Sequence, residues 1–228
     1  MKKSLLILTS FLCFGAFLQA QITKTMSVVP GGLFKALTYD ERSNTTHLIL
    51  TGSMDARDFK TIRDNMPKLE ILDISKVNIA AYEGTEGSEQ TDKGRPVKAK
   101  YAEKTIPQYA FFKNGNGSGK RTIKNVIYPK NLIGVGERAF YACYNLSEVT
   151  IPASVVSLES EAYYNCKALA SISVLSANPV PTMGKGVFYA VDPASCILHV
   201  KEGSKTAFQG AKQWNDFMTI EEDVKEAQ

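Results

Sequence analysis

A chain of 228 residues, 44% hydrophobic and 22% charged, can bury a core of its own and is too ordinary in composition to stay disordered. Its formal charge of +4 falls to +2 if Lys2 and Lys3 leave with a leader, which gives no reason to expect nucleic acid or an acidic membrane surface as partner. Beyond the leader the cysteines are Cys143, Cys166 and Cys196, and an odd count does not make a disulfide framework.

Residues 1–20 read as a signal peptide. Lys2 and Lys3 open it, an apolar run from Leu5 to Leu18 follows, and Ala20 ends it, with Gln21 opening the mature chain. Cys13 follows Leu12, where a lipid-anchored cysteine takes a small neighbour, so no lipoprotein site is expected. No later segment is long and apolar enough to span a bilayer. The expected location is therefore the cell surface, the periplasm or the medium.

Residues 21–45 are expected to form an N-terminal cap, with a strand near Thr25 to Val29 and a helix from about Gly32 to Tyr39. His47 to Gly52 reads as a strand. Asp55 can cap a helix running to about Met66, with Phe59, Ile62 and Met66 on one face. Leu69-x-x-Leu72-x-Ile74 is the next strand, and Leu48 to Leu72 is a step of 24 residues. Gly84 to Ala99 is polar and breaks the pattern, which predicts an exposed insertion.

A phrase then repeats. Ile123-x-x-Val126-x-Tyr128-Pro129 is followed by Leu146-x-x-Val149-x-Ile151-Pro152, and then by Leu169-x-x-Ile172-x-Val174, at a constant step of 23 residues. A fixed period in the twenties predicts a solenoid, in which each repeat buries its apolar face only against its neighbours. Alternation turns Val149 and Ile151 inward. Pro129 and Pro152 suit strand ends, where a ladder hydrogen bond can be given up. An aromatic turn accompanies each strand, Ala139-Phe140-Tyr141 and Ala162-Tyr163-Tyr164, with Val135 and Leu158 four places before the alanines. Looser copies end at Phe111 and Phe188. Phe111, Phe140, Tyr163 and Phe188 are expected to stack as an aromatic spine. The polar Asn114 to Gly119 turn and the Asn178 to Pro181 segment absorb the uneven spacing on either side.

Cys143 and Cys166 share one repeat position. They are either two small buried side chains stacked in adjacent coils or a disulfide between coils. No third and fourth ligand follow at metal-binding spacing. Cys196 to Val200 is the last repeat strand. Residues 201–228 are expected to form a C-terminal cap, with a helix from Lys205 to Trp214 and a closing strand from Phe217 to Ile220. Trp214 is expected to cover the last coil.

The text from Ala139 to Pro152, repeated in Ala162 to Leu169, resembles the BspA-like leucine-rich repeat family of bacterial surface proteins. The resemblance covers roughly Thr46 to Glu221, with the insertion outside it. It implies an α/β solenoid: a right-handed leucine-rich repeat over residues 46–200 with a parallel concave sheet, short helices or turns on the convex side, and caps at both ends. It also implies surface exposure or secretion, and some members bind host matrix proteins or other bacteria. The chain departs from the long adhesins in having about five or six coils, which argues against a wide multivalent surface.

Candidate chemistry is sparse. His47 and His199 fall in the first and last strands of the proposed sheet, so a shared metal or acid–base site is not expected, and His199 reads as a surface strand residue. No Gly-x-Ser-x-Gly elbow occurs. Gly115 to Gly119 lacks the frame of a phosphate loop. Glu159 and Glu161 flank an exposed turn rather than a glycosidase pocket. What remains is the outward side of the concave strands: Asp73, Asn125, Ile127, Glu148, Thr150, Ser171, Ser173 and His199, a shallow polar strip with Ile127 as its one apolar member. The expectation is a non-catalytic recognition or adhesion module for a protein or glycan, with no cofactor, no metal and no nucleic acid. The alternative is an enzyme or enzyme accessory acting on extracellular polymers, which requires converging carboxylates or His47 beside an acid.

Overall fold

The computed structural model describes residues 21–176 and 179–224. The expected signal peptide and the Asn178 end of the Asn178 to Pro181 segment lie outside the described residues.

The chain opens with strand β1 (Thr23–Val28), helices α1 (Leu33–Ala36) and α2 (Tyr39–Asn44), strand β2 (His47–Met54), helix α3 (Ala56–Asn65) and strand β3 (Ile71–Ile79). The helix expected over residues 32–39 is instead two short ones. Thr38 takes an extended backbone and starts α2, accepting a hydrogen bond from Glu41 N while the Glu41 carboxylate accepts one from Thr38 N. Asp55 caps α3 as anticipated, with Asp58 completing a reciprocal capping box. The buried Asp58 carboxylate also accepts from Gly31 N and Leu33 N, tying α3 to the segment before α1. Phe59, Ile62 and Met66 are fully buried.

Beyond β3 the chain forms an antiparallel pair, β4 (Tyr82–Gly84) with β5 (Ala99–Tyr101), then β6 (Thr105–Ile106) and a small hairpin of β7 (Phe112–Lys113) and β8 (Ser118–Gly119). The repeats follow as β9 (Asn125–Ile127), β10 (Gly134–Val135), β11 (Glu148–Ile151), β12 (Ser157–Leu158), β13 (Ser171–Val174), β14 (Thr182–Met183) and β15 (Ile197–Lys201). Helix α4 (Lys205–Gly210) and β16 (Thr219–Val224) end the described chain. The C-terminal helix stops four residues short of Trp214, which begins a separate 3-10 turn. The closing strand starts and ends later than residues 217–220.

Two parallel surfaces arise from this order. One is made of β1-β2-β3-β9 and β11-β13-β15-β16, and Ser147 N donates to Lys124 O across the junction of the two sets. The other is β6-β10-β12-β14. Register repeats with the sequence: Leu48, Leu72 and Val126 are partners in one set, and Val149, Ile172, Leu198 and Ile220 in the other. All seven are buried. Each such aliphatic side chain contributes roughly 1.5–3 kcal/mol by leaving water. Ile106, Val135, Leu158 and Met183 form the matching row of the second surface.

The expected aromatic spine stacks within the buried core. Ring centroids are 4.7 Å apart for Phe111 and Phe140, 5.1 Å for Phe140 and Tyr163, and 5.4 Å for Tyr163 and Phe188. Trp214 packs on Phe188 at the end of the row, with its indole N–H donating to Pro181 O. A second ladder runs beside the first, one residue on: Phe112, Tyr141, Tyr164 and Tyr189, with successive centroids 4.5, 4.6 and 4.8 Å apart. The turns carrying both ladders use left-handed backbone at equivalent places, with φ of 58° at Tyr109, 51° at Arg138, 58° at Glu161 and 61° at Gly186.

Cys143, Cys166 and Cys196 are buried free thiols. The Cys166 thiol donates to Phe140 O at 3.2 Å. Burial pushes the Cys143 and Cys196 thiols up to about 12, so neither offers a thiolate at neutral pH.

The insertion is less exposed than its composition predicts. Ser88 and Gln90 are buried. The Arg63 guanidinium of α3 donates to Ser88 O, Tyr109 O and Phe112 O and pairs with Asp64. Asn114 donates to Gln90 O, and Gly115 sits so close to Gly94 that a Cβ there would stand 2.3 Å from the Gly94 Cα. The insertion and the 114–119 turn are thus packed on each other and on α3.

Candidate functional site

Alternation along short parallel strands places the candidate residues on the open side of the first surface. Ile71 and Asn125 share one line of it, with Glu148, Ser171, Ile197 and Thr219 across the junction. Ile49, Asp73 and Ile127 begin a second line that Thr150, Ser173, His199 and Glu221 continue. Every predicted strip residue is exposed or partly exposed. The face is less polar than expected, because Ile49, Ile71 and Ile197 join Ile127 on it, each partly exposed. They were missed because the inward columns, not the outward ones, carry the repeat signal.

The strip residues do not converge on one point. Asn125 donates to the Glu148 carboxylate across the junction. Asp73 accepts from Ser75 N along its own strand. Thr150, Ser171, Ser173 and His199 do come together, lining with Leu175, Asp223 and Val224 a shallow depression of about 470 Å³. Asp73, Asn125, Ile127 and Glu148 lie on the same side outside it.

The strongest polar grouping is at the edge of that depression. His199 Nδ1 is 2.9 Å from one Asp223 carboxylate oxygen and 3.0 Å from the other, and 3.9 Å from Glu221. Sequence reasoning did not select Glu221 or Asp223, since the closing strand was expected to end at Ile220. The outward period of Thr219, Glu221 and Asp223 was the available signal. His47, at the other end of the surface, bonds Gln21 at 2.6 Å and has no such acidic neighbour among the described residues.

A second depression, about 420 Å³, lies beside the insertion on the β6-β10-β12 surface, bordered by Glu89, Glu137 and Glu159. Glu89 accepts from Gln108 and Glu159 from Ser157. Glu161 is paired with Arg138. These acids are therefore engaged by neighbours in their own and adjacent repeats. A third, about 470 Å³, opens beside Tyr189 and Phe217 at the end of the tyrosine ladder.

Among the described residues no helix is long and apolar enough to cross a membrane. No curated protein matches the chain. The family model described as the BspA type leucine rich repeat region matches residues 97–215 in six copies. That span takes in the two parallel surfaces from β6 to β15 and both aromatic ladders, and the chain belongs to the BspA-type leucine-rich repeat family.

Proposed function

We propose that the chain is an exported, non-catalytic recognition module that binds a protein or glycan through the open side of its first parallel surface. In this reading the repeats wind as a right-handed solenoid over residues 46–200. Residues 21–45 and 201–228 act as end caps, and the open side is concave. The observation that carries the proposal is the depression in which Thr150, Ser171, Ser173 and His199 meet. It lies on a face whose strands are held in register by buried columns, so its side chains are positioned before any ligand arrives. Asp73, Asn125, Ile127 and Glu148 extend the same surface toward the N-terminal strands. Family membership supports binding over catalysis, since leucine-rich repeat regions generally recognise proteins.

The test is capture by immobilised chain from host-matrix and cell-envelope fractions, with a glycan array beside it. A variant carrying Glu148→Ala, Thr150→Ala and Ser173→Ala is expected to lose the captured species while keeping its circular dichroism spectrum. Equal capture by the folded variant removes this face as the binding site.

A further inference from the structure

Three side chains that ligate divalent metals converge at the C-terminal end of the open face. β16 pairs with β15 so that Glu221 stands directly across from His199. Asp223 falls at the bulge of this pairing, between Glu222 opposite Val200 and Val224 opposite Lys201, and its carboxylate reaches the His199 ring. One ligand atom from each of the three lies within 4.8 Å of the other two. We propose that His199, Glu221 and Asp223 form a binding site for a divalent transition-metal ion of the zinc type.

Distances and chemistry both support this. Zinc holds imidazole nitrogen and carboxylate oxygen at about 2.0–2.2 Å, which sets tetrahedral ligand atoms about 3.3 Å apart. The imidazole nitrogen stands 2.9 Å from Asp223 and 3.9 Å from Glu221, values on either side of that spacing. The two carboxylates are about half exposed, at 50% and 48%, so small side-chain rotations close the set around the more buried ring of His199, at 21%. A nitrogen ligand and only three protein groups disfavour calcium and magnesium, which take larger shells of oxygen. His199 and Asp223 also line the depression bordered by Thr150, Ser173 and Leu175, from which water or an oxygen of a bound ligand would complete the shell.

The site stands or falls without the protein or glycan reading, because it needs no second macromolecule. Untagged chain is titrated with zinc against a chromophoric chelator. The expected result is one zinc per chain, with His199→Ala and the Glu221→Gln/Asp223→Asn pair each weakening uptake at least tenfold and His47→Ala leaving it unchanged. The chain has only two histidines, which allows a direct readout on the unmutated protein. Zinc should shift the His199 imidazole resonances and leave those of His47 in place. Absence of saturable uptake, uptake that His199→Ala does not weaken, or a shift at His47 in place of His199 overturns the proposal.

Discussion

Tyr128 and Tyr163 meet phenol to phenol inside the protein, their oxygens 3.0 Å apart. They are 35 residues apart in sequence, and both are buried, at 7% and 0% exposure. Burial pushes both phenols above their ordinary range, so the bond stays between neutral hydroxyls in ordinary buffers. Tyr163→Phe strands the Tyr128 hydroxyl away from water and is expected to cost about 1–3 kcal/mol. Tyr128→Phe does the same in reverse. Removing both leaves no orphan, so the double variant should cost less than the two single losses together. Urea unfolding of the four proteins measures this, and fully additive losses would show that neither hydroxyl depends on the other.

Arg63 holds the insertion. Its side chain is 2% exposed and donates to three carbonyls, one in the insertion, Ser88, and two in the first aromatic turn, Tyr109 and Phe112. Arg63→Met is expected to cost about 3–5 kcal/mol, since it leaves buried carbonyl acceptors unpaired and Asp64 with only its longer contact to Lys113. The loss should also be local. Trypsin is expected to cut the variant at Lys93 or Lys98 well before the rest of the chain opens. Cleavage of parent and variant at equal rates would mean that the insertion is held by something else.

What could be read in the sequence follows from how many residues carry a given signal. Val126, Val149 and Ile172 announce the inward column because three residues of each strand alternate and the step recurs, and all three are buried. The second parallel surface is invisible by the same measure. β10 and β12 have two residues each, too few to show any alternation, so Val135 and Leu158 read only as apolar residues ahead of a turn. Tyr141 and Tyr164 stand in the text next to the spine, yet their stacking depends on left-handed backbone at Arg138 and Glu161. Nothing in those residue types forecasts that conformation. The His199 cluster was hidden for another reason, because register between β15 and β16 brings it together and one-dimensional spacing does not.

Lys120 is a buried cation with a carbonyl in place of a carboxylate. It is 7% exposed and donates to Met66 O at the end of α3. Burial lowers its pKa from 10.5 to about 8. Below about pH 8 folded and unfolded chains both hold the proton, and the folded state bears the full cost of the buried charge. Between about 8 and 10.5 the unfolded chain keeps a proton that the folded one has released, so stability rises with pH across that window. The displacement corresponds to about 3 kcal/mol. Lys120→Met should be more stable than the parent at pH 7, less about 1 kcal/mol for the lost bond to Met66. It should also lack this contribution to the alkaline rise. Denaturant midpoints at pH 7.5 and 10 decide the matter, and a constant gap between the two proteins contradicts the account.

Gly186 and Ala190 separate backbone strain from packing in the last aromatic turn. Both are left-handed, at φ of 61° and 63°. Gly186 follows Tyr109, Arg138 and Glu161 in its row, and a Cβ there would meet only the Tyr189 Cβ at 3.7 Å, an ordinary contact. Gly186→Ala is therefore expected to cost about 1 kcal/mol through conformation alone. Ala190 is exposed, so Ala190→Gly gives up little burial while relieving the same strain, and a gain of about 0.5–1 kcal/mol is expected. The two substitutions should move the melting temperature in opposite directions. If both lower it, the left-handed geometry is not what limits stability in this turn, and the side chains of the ladder must hold the backbone there.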